Sequence, residues 1–465
     1  MRRDALNIVL GGMTLFLILL SWGHSTAQPS NIHVPIQQRG ELLNGLKLVV
    51  VERQNQPTAT VLLVTFAGSN ADESGKAGTA AATARMLLAA TPQRKRAQIA
   101  DDLAGEGLSA SSYADYDASW FRVSGPVKDV RTMLEELSDL LLTSNFDEKE
   151  LAQLKEETKT SLLERHRDPR ALAELYFREK LYGMHPYGFP AEGVPRMVND
   201  VSAADCLKFY QRYYHPNNAM LLVVGGVHAD DIETKVRVLL GAWKNIPAPP
   251  IFPKTAKQPV GVQIRIVDRP SSDPAQILLG RIGVQRTSRD YYNLEMLNFV
   301  LGGEGFASRL TERLQKKDHL ASNVSSTFEY HLSGGEWKVR LSTASENAPT
   351  ALAEIIDEIK RIRDARGSEQ ELAAAVTAQT SQIAAKMQSN DQIADALARI
   401  EVFNLAFDTY TAYSAHLARV SAEQVQQAAR EYLDPDSLVV VVIGNASVMK
   451  EGLEKLGSVE VFPGD

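Results

Sequence analysis

Short blocks of aliphatic and β-branched residues alternate along this chain with longer stretches in which apolar residues return every third or fourth position. Leu46–Val51 and Val61–Phe66 are β-rich runs separated by the polar segment Glu52–Gln56, and read as neighbouring strands. Ser119–Val123 reads as another strand, and Gly78–Ala90 as an alanine-rich helix closed by the Thr91-Pro92 break. Met133, Leu134, Leu137, Leu140 and Leu141 fall on one face of a helix. Asp147–Arg165 makes a second helix, with Leu151, Leu154 and Leu162 turned inward. The later part of the chain repeats the theme. Strands are expected near Val262–Val267, Gln276–Gly283, Asn323–Glu329 and Trp337–Leu341, a helix from Tyr291, and long helices over Ala351–Ala365 and Glu369–Met387. The pattern predicts an α+β fold of largely antiparallel sheet with helices packed on one face.

The chain is also written twice. Val201-Ser202-Ala203 opens a helical segment, Tyr214-His215-Pro216-Asn217 turns, Met220–Val224 runs apolar and Gly225-Gly226 stops it. Much later Val420-Ser421-Ala422, Tyr432-Leu433-Asp434-Pro435, Leu438–Ile443 and Gly444 repeat the same order in the same register. Several features in register point to duplication rather than chance. Between the copies lie Pro247, Pro249, Pro250, Pro253 and Pro259. Prolines this dense remove amide donors and fix φ, so the segment reads as a semi-rigid linker. We therefore expect two homologous domains, 38–248 and 258–465, joined by a proline-rich linker at 249–257.

The N-terminus stands apart. Met1-Arg2-Arg3 precede an apolar run from Ile8 to Trp22, with the small residues Ser25 and Ala27 behind it. This is the layout of a secretory signal peptide, residues 1–27, cut after Ala27, and it implies an exported, periplasmic or secreted protein. Retained, the same run is nearly long enough to anchor the chain in a membrane; once it is removed, no other stretch is apolar enough to span one.

Composition narrows the functional classes. A formal net charge of -7 offers no basic surface for nucleic acid. The lone Cys206 rules out an intrachain disulfide, and its helical setting suits a small buried hydrophobe. None of the nine histidines has a second histidine three or four residues on. Glu164 and His166, two apart on a helix, point to different faces. Glu329 and His331 can share a strand face, but two groups fall short of a zinc site. There is no G-x-S-x-G elbow, and Gly302-Gly303-Glu304-Gly305 lacks the Gly-Lys-Ser/Thr of a phosphate loop. The aromatic cluster Tyr113, Tyr116, Trp120 and Phe121 suits core and edge packing, with contact to a ligand as the alternative.

Several anchors in order give the chain a family likeness. They are Asn44-Gly45-Leu46-Lys47, Ala67-Gly68-Ser69 with Glu73, the helix at Gly78, and Gly105-Glu106-Gly107-Leu108. Phe146-Asp147-Glu148, His185-Pro186-Tyr187-Gly188, Tyr214-His215-Pro216-Asn217-Asn218 and the Gly-rich run Leu301–Leu310 follow. In this order they resemble the insulinase/pitrilysin (inverzincin) zinc peptidases across nearly the whole mature chain. The resemblance implies paired homologous domains forming half of a clamshell that closes around unfolded peptide. It also implies an H-x-x-E-H zinc helix. At the matching positions of the helix 78–90 stand Ala81, Ala84 and Arg85, in place of the first histidine, the glutamate base and the second histidine. The third ligand position falls at or near Ser161, leaving Glu156, Glu157 and Glu164 as solvated helix carboxylates. The family's asparagine near the site matches Ser109, and the arginine and tyrosine that hold substrate backbone match Gln315 and Ser322. The resemblance thus implies no catalytic residues, no metal ligands and no cofactor in this chain. Zinc would be carried by a partner, a homologous H-x-x-E-H peptidase subunit, with extended peptide as a shared ligand. Two alternatives stand beside a non-catalytic subunit: a structural or assembly scaffold, and a metallopeptidase with unrecognised ligands.

Overall fold

The computed structural model describes residue 32 and residues 34–251, 255–303 and 308–464; the segment read as a signal peptide lies outside them. The first half contributes β1 (Gln37–Glu41), β2 (Lys47–Glu52), β3 (Thr58–Thr65), β4 (Ser109–Ala114), β5 (Ser119–Pro126) and β6 (Ala219–Gly225). These form one six-stranded sheet in the order β1-β2-β6-β3-β5-β4. The second half contributes β7 (Val262–Asp268), β8 (Ala275–Ile282), β9 (Asn323–Glu329), β10 (Glu336–Thr343), β11 (Leu438–Gly444) and β12 (Ser458–Pro463). Their order, β12-β7-β11-β8-β10-β9, is the same plan. In both sheets the strand from the repeated sequence block, β6 or β11, is inserted in the middle. This corrects one expectation: β2 and β3 are not neighbours, because β6 lies between them, parallel to β2 and antiparallel to β3. The polar segment after β2 is a connection past the position that β6 fills rather than a hairpin turn.

The helices of the first half are α1 (Thr79–Met86), α2 (Arg96–Gly105), α3 (Val130–Thr143), α4 (Glu148–Arg167) and α5 (Pro169–Tyr182). After them come α6 (Pro195–Asp200), α7 (Ala203–Tyr213) and α8 (Ala229–Leu240). The second half has α9 (Tyr291–Gly302), α10 (Ala348–Asp364), α11 (Glu369–Ala385), α12 (Asn390–Val402), α13 (Tyr413–Leu417), α14 (Ala422–Tyr432) and α15 (Ala446–Leu453). The α1 helix is shorter than the expected 78–90. It ends at Met86, and Ala90 instead bridges to Lys95.

The duplication is visible in detail. Helices α7 and α14 each start behind a serine N-cap, Ser202 or Ser421, whose hydroxyl accepts the backbone N–H of Asp205 or Gln424. That side chain accepts in return from the serine N–H, closing a capping box in both copies. The strands that follow, β6 and β11, are buried along their whole length. Strands buried on both faces read as continuous apolar runs, which is why these two stood out in the sequence.

Burial on both faces has a specific cause. On one face of the first sheet, Val61, Leu63, Phe121 and Val223 pack with Met133, Leu137 and Leu141 of α3. On the other, Leu62, Val64, Trp120 and Leu222 meet Ile393 and Leu397 of α12, a helix from the second half. Reciprocally, Leu172, Phe177 and Leu181 of α5, a first-half helix, pack on Leu278, Val439 and Val441 of the second sheet. Each half thus lends one helix to the other. Polar contacts fasten the exchange: Asn390 Nδ2 donates to Thr58 O at 3.0 Å, and Arg122 pairs with Asp395.

Candidate functional site

Helix α1 is positioned by a carboxylate and two glycine contacts. Asp72 accepts the backbone N–H of Gly78 and of Ala80, each at 2.8 Å, satisfying donors left open at the helix start. Gly78 sits at φ +101°, and a Cβ there would stand 2.6 Å from the carbonyl oxygen of Glu192. A Cβ on Gly193, at φ +87°, would come closer still to the carbonyl oxygen of Ala77. The loop before α6 is therefore pressed against the start of α1.

From this start α1 turns Ala81 and Arg85 toward α4, and a cavity of about 230 Å³ lies between them, with Ser161 on its wall. Ala84 is fully buried and faces the packing rather than the cavity. Arg85 crosses to α4: Nη1 donates to Thr158 Oγ1 at 2.5 Å, and Nη2 pairs with Glu157 Oε2 at 2.8 Å. Glu157 is also bound by Arg96 of α2, at 2.6 and 3.1 Å. The hydrogen bond from Arg96, with the nearby Arg85 charge, holds its carboxyl below the usual carboxylate range despite some burial. Glu157 is therefore no merely solvated helix carboxylate. Glu156 matches that expectation better, exposed and paired among the described residues only with Lys159 one turn on.

A divalent metal does not fit this arrangement. The walls nearest Arg85 offer a methyl group at Ala81, a hydroxyl at Ser161 and a carboxylate already neutralised by two guanidiniums. Zinc wants imidazole, thiolate or free carboxylate donors, and a fixed guanidinium repels it.

The other singled-out residues lie elsewhere. Gln315, on a π-helical turn Thr311–Lys317, donates its amide to Ser322 O at 2.9 Å, and neither lines the α1–α4 cavity. Ser109 begins the edge strand β4 and donates to Ser124 O across the ladder. Tyr113, on the same strand, stacks on the buried Trp120 with centroids 6.1 Å apart. Cys206 is fully buried in α7, and burial pushes its thiol up to about 12. His185 accepts the Tyr187 N–H, and His215 bonds to Gln211 O, so both serve their turns.

One cluster escaped the sequence. Glu336 joins Glu329 and His331, with ligand-capable atoms of all three within 4.8 Å of one another. Sequence separation hid Glu336, which faces Glu329 across the β9–β10 ladder. Arg178 of α5 pairs with both glutamates, and Lys338 Nζ lies 2.6 Å from Glu329 and 3.2 Å from Glu336. The two buried cations supply the countercharge that a metal would, so the cluster reads as an ionic seam between the halves. Asp117 extends it, accepting Tyr187 Oη at 2.7 Å and facing His331 Nδ1 at 3.4 Å.

Set beside known proteins, residues 48–193 match the profile of insulinase (peptidase family M16), and residues 200–379 match that of the peptidase M16 inactive domain. The zinc protease PqqE of Helicobacter pylori is 23% identical over 93% of this chain and 97% of its own length. An uncharacterised zinc protease of Streptomyces coelicolor is 24% identical over 62% of this chain, and the chain spans only 63% of that relative's length. Among solved structures, a peptidase M16 inactive domain from Pseudomonas fluorescens superposes with a TM-score of 0.81 at 24% identity. That match covers 88% of this chain and 98% of the other. The periplasmic protease PqqL of Escherichia coli gives a TM-score of 0.72 at 17% identity over 92% of this chain and 51% of its own. The two sheets with their helices are the M16 architecture, and the chain belongs to the M16 insulinase/pitrilysin superfamily. It does so without an H-x-x-E-H anywhere in its 465 residues. Among the described residues no helix is long and apolar enough to cross a membrane.

Proposed function

We propose that this chain is an exported, periplasmic or secreted, non-catalytic subunit. It pairs with a homologous zinc peptidase carrying H-x-x-E-H and helps enclose or position peptide. The observation that carries the reading is Arg85. On this reading Ala81, Ala84 and Arg85 occupy the places of the two histidines and the base, and Ser161 that of the third ligand. The Arg85 guanidinium reaches across the emptied site to Glu157 and Thr158 and ties α1 to α4. The scaffold around the lost metal is kept in shape by the residue that excludes it. Enclosing a peptide needs two halves, whereas hydrolysis needs one metal, so a half without zinc still has work. Edge strand β4 offers the unpaired backbone that an extended peptide would join. Zinc, on this reading, belongs to the partner chain.

A second reading is a scaffold with no peptide role. It draws on Gln315, whose amide is spent on Ser322 O just beyond its own turn. Mixing the pure chain with an H-x-x-E-H homologue from the same source separates the two. Co-elution with a rise in peptide cleavage is expected; co-elution with unchanged cleavage supports the scaffold. Proteolysis by the isolated chain, lost on chelation, would overturn both.

A further inference from the structure

The cavity between α1 and α4 has unspent positive charge. Arg85, Lys155 and Arg165 lie on its wall, against Glu157 and Glu192. Arg165 takes Glu192 at 2.9 Å. Glu157 is shared, since Arg96 from outside the cavity holds it with two hydrogen bonds while Arg85 uses one oxygen. Lys155 donates only to the backbone carbonyls of Asn199 and Val201, both at 2.7 Å, and forms no ion pair among the described residues. Apart from the hydroxyls of Thr158 and Ser161, the rest of the wall is aliphatic, with Leu151, Val198 and Val201.

We infer that this cavity binds a small monocarboxylate with an aliphatic body, seating its oxygens between Arg85 and Lys155 and its body against Leu151 and Val198. Arg85 has N–H groups left after its bonds to Leu154 O, Thr158 and Glu157, and a guanidinium favours planar carboxylates. Burial also pulls the Arg85 guanidinium below its ordinary range; Glu157 opposes that and Arg96 adds to it. An incoming anion relieves that imbalance. The chemistry fits the carboxyl terminus of a peptide, next to an aliphatic side chain, or an acidic side chain. The inference rests on the proposed function only for this natural source; binding of small acids by the isolated chain needs no partner.

Isothermal titration of the full chain decides it, with three probes: N-acetyl-leucine, N-acetyl-leucinamide and the α-amide of N-acetyl-glutamic acid. The expected result is saturable, salt-sensitive binding of at least one acid, at least about tenfold tighter than the amide. The tighter of the two acids identifies the source. Arg85→Gln should weaken it about tenfold, and Lys155→Met gives the same readout should the first variant fail to fold. Equal binding of acid and amide, no saturation below about 10 mM, or unchanged binding in the folded variants would overturn the inference. Such a failure leaves partner activation untouched, just as failed activation leaves this test standing.

Discussion

At the scale of single residues, Arg85 decides what the α1–α4 cavity can do. If Ala81, Ala84, Arg85 and Ser161 stand at the family's ligand and base positions, the quadruple change Ala81→His, Ala84→Glu, Arg85→His and Ser161→Glu should create measurable zinc affinity. Equilibrium dialysis checks it, and a folded quadruple variant that binds no more zinc than the parent refutes the mapping. Useful turnover is not expected, because ligating histidines also need hydrogen-bonded outer partners. Gly78 is the second residue-scale test. Its left-handed φ and the 2.6 Å approach to Glu192 O leave no room for a methyl group. Gly78→Ala should cost about 1–3 kcal/mol in denaturant unfolding, and an unchanged midpoint would refute it. Positions of this kind can be singled out in the sequence because identity at a motif position is a chemical statement by itself. Partnerships were not: nothing in residues 78–90 announces that Arg85 meets Glu157 and Thr158, or that Arg96 competes for the same carboxylate.

At the scale of elements, periodicity carried the strands and the long helices, and the repeated block foretold two matched strands, β6 and β11. What it could not carry was where those strands insert, since an apolar run fits any central position of a sheet. The exchange of α5 and α12 was equally hidden, because an amphipathic helix does not say whose sheet it covers. The exchange makes a stability prediction. Phe177 of α5 is fully buried against the second sheet. Phe177→Ala should lose about 3–5 kcal/mol and loosen the junction, read as reduced unfolding cooperativity.

The junction also has a pH signature. Burial pushes Glu174 up, but Lys338, Arg178 and Arg340 outweigh it and hold the carboxyl at about 2, below its ordinary 4.5. Glu329 is likewise held low, its burial outweighed by Lys338 and Arg178. Because these folded-state values lie below the unfolded ones, their stabilisation is complete above the ordinary carboxylate range. It is lost as pH falls from about 4.5 toward 2. Thermal unfolding should therefore show the halves separating in acid, and Glu174→Gln should flatten that dependence. An unchanged acid limb in the variant would place the acid-sensitive groups elsewhere.

At the scale of the molecule, the chain keeps an M16 architecture while the motif that serves hydrolysis is gone. Twinned sheets, exchanged helices and the ionic seam all serve shape, and none of them requires zinc. The central question is whether the isolated chain holds that metal. Elemental analysis of the purified, dialysed protein is the most direct measurement. Zinc far below equimolar, unchanged by chelator treatment, is the expected result. Equimolar zinc that a chelator strips, and that is lost when Glu157 or Ser161 is replaced by alanine, would overturn the non-catalytic reading.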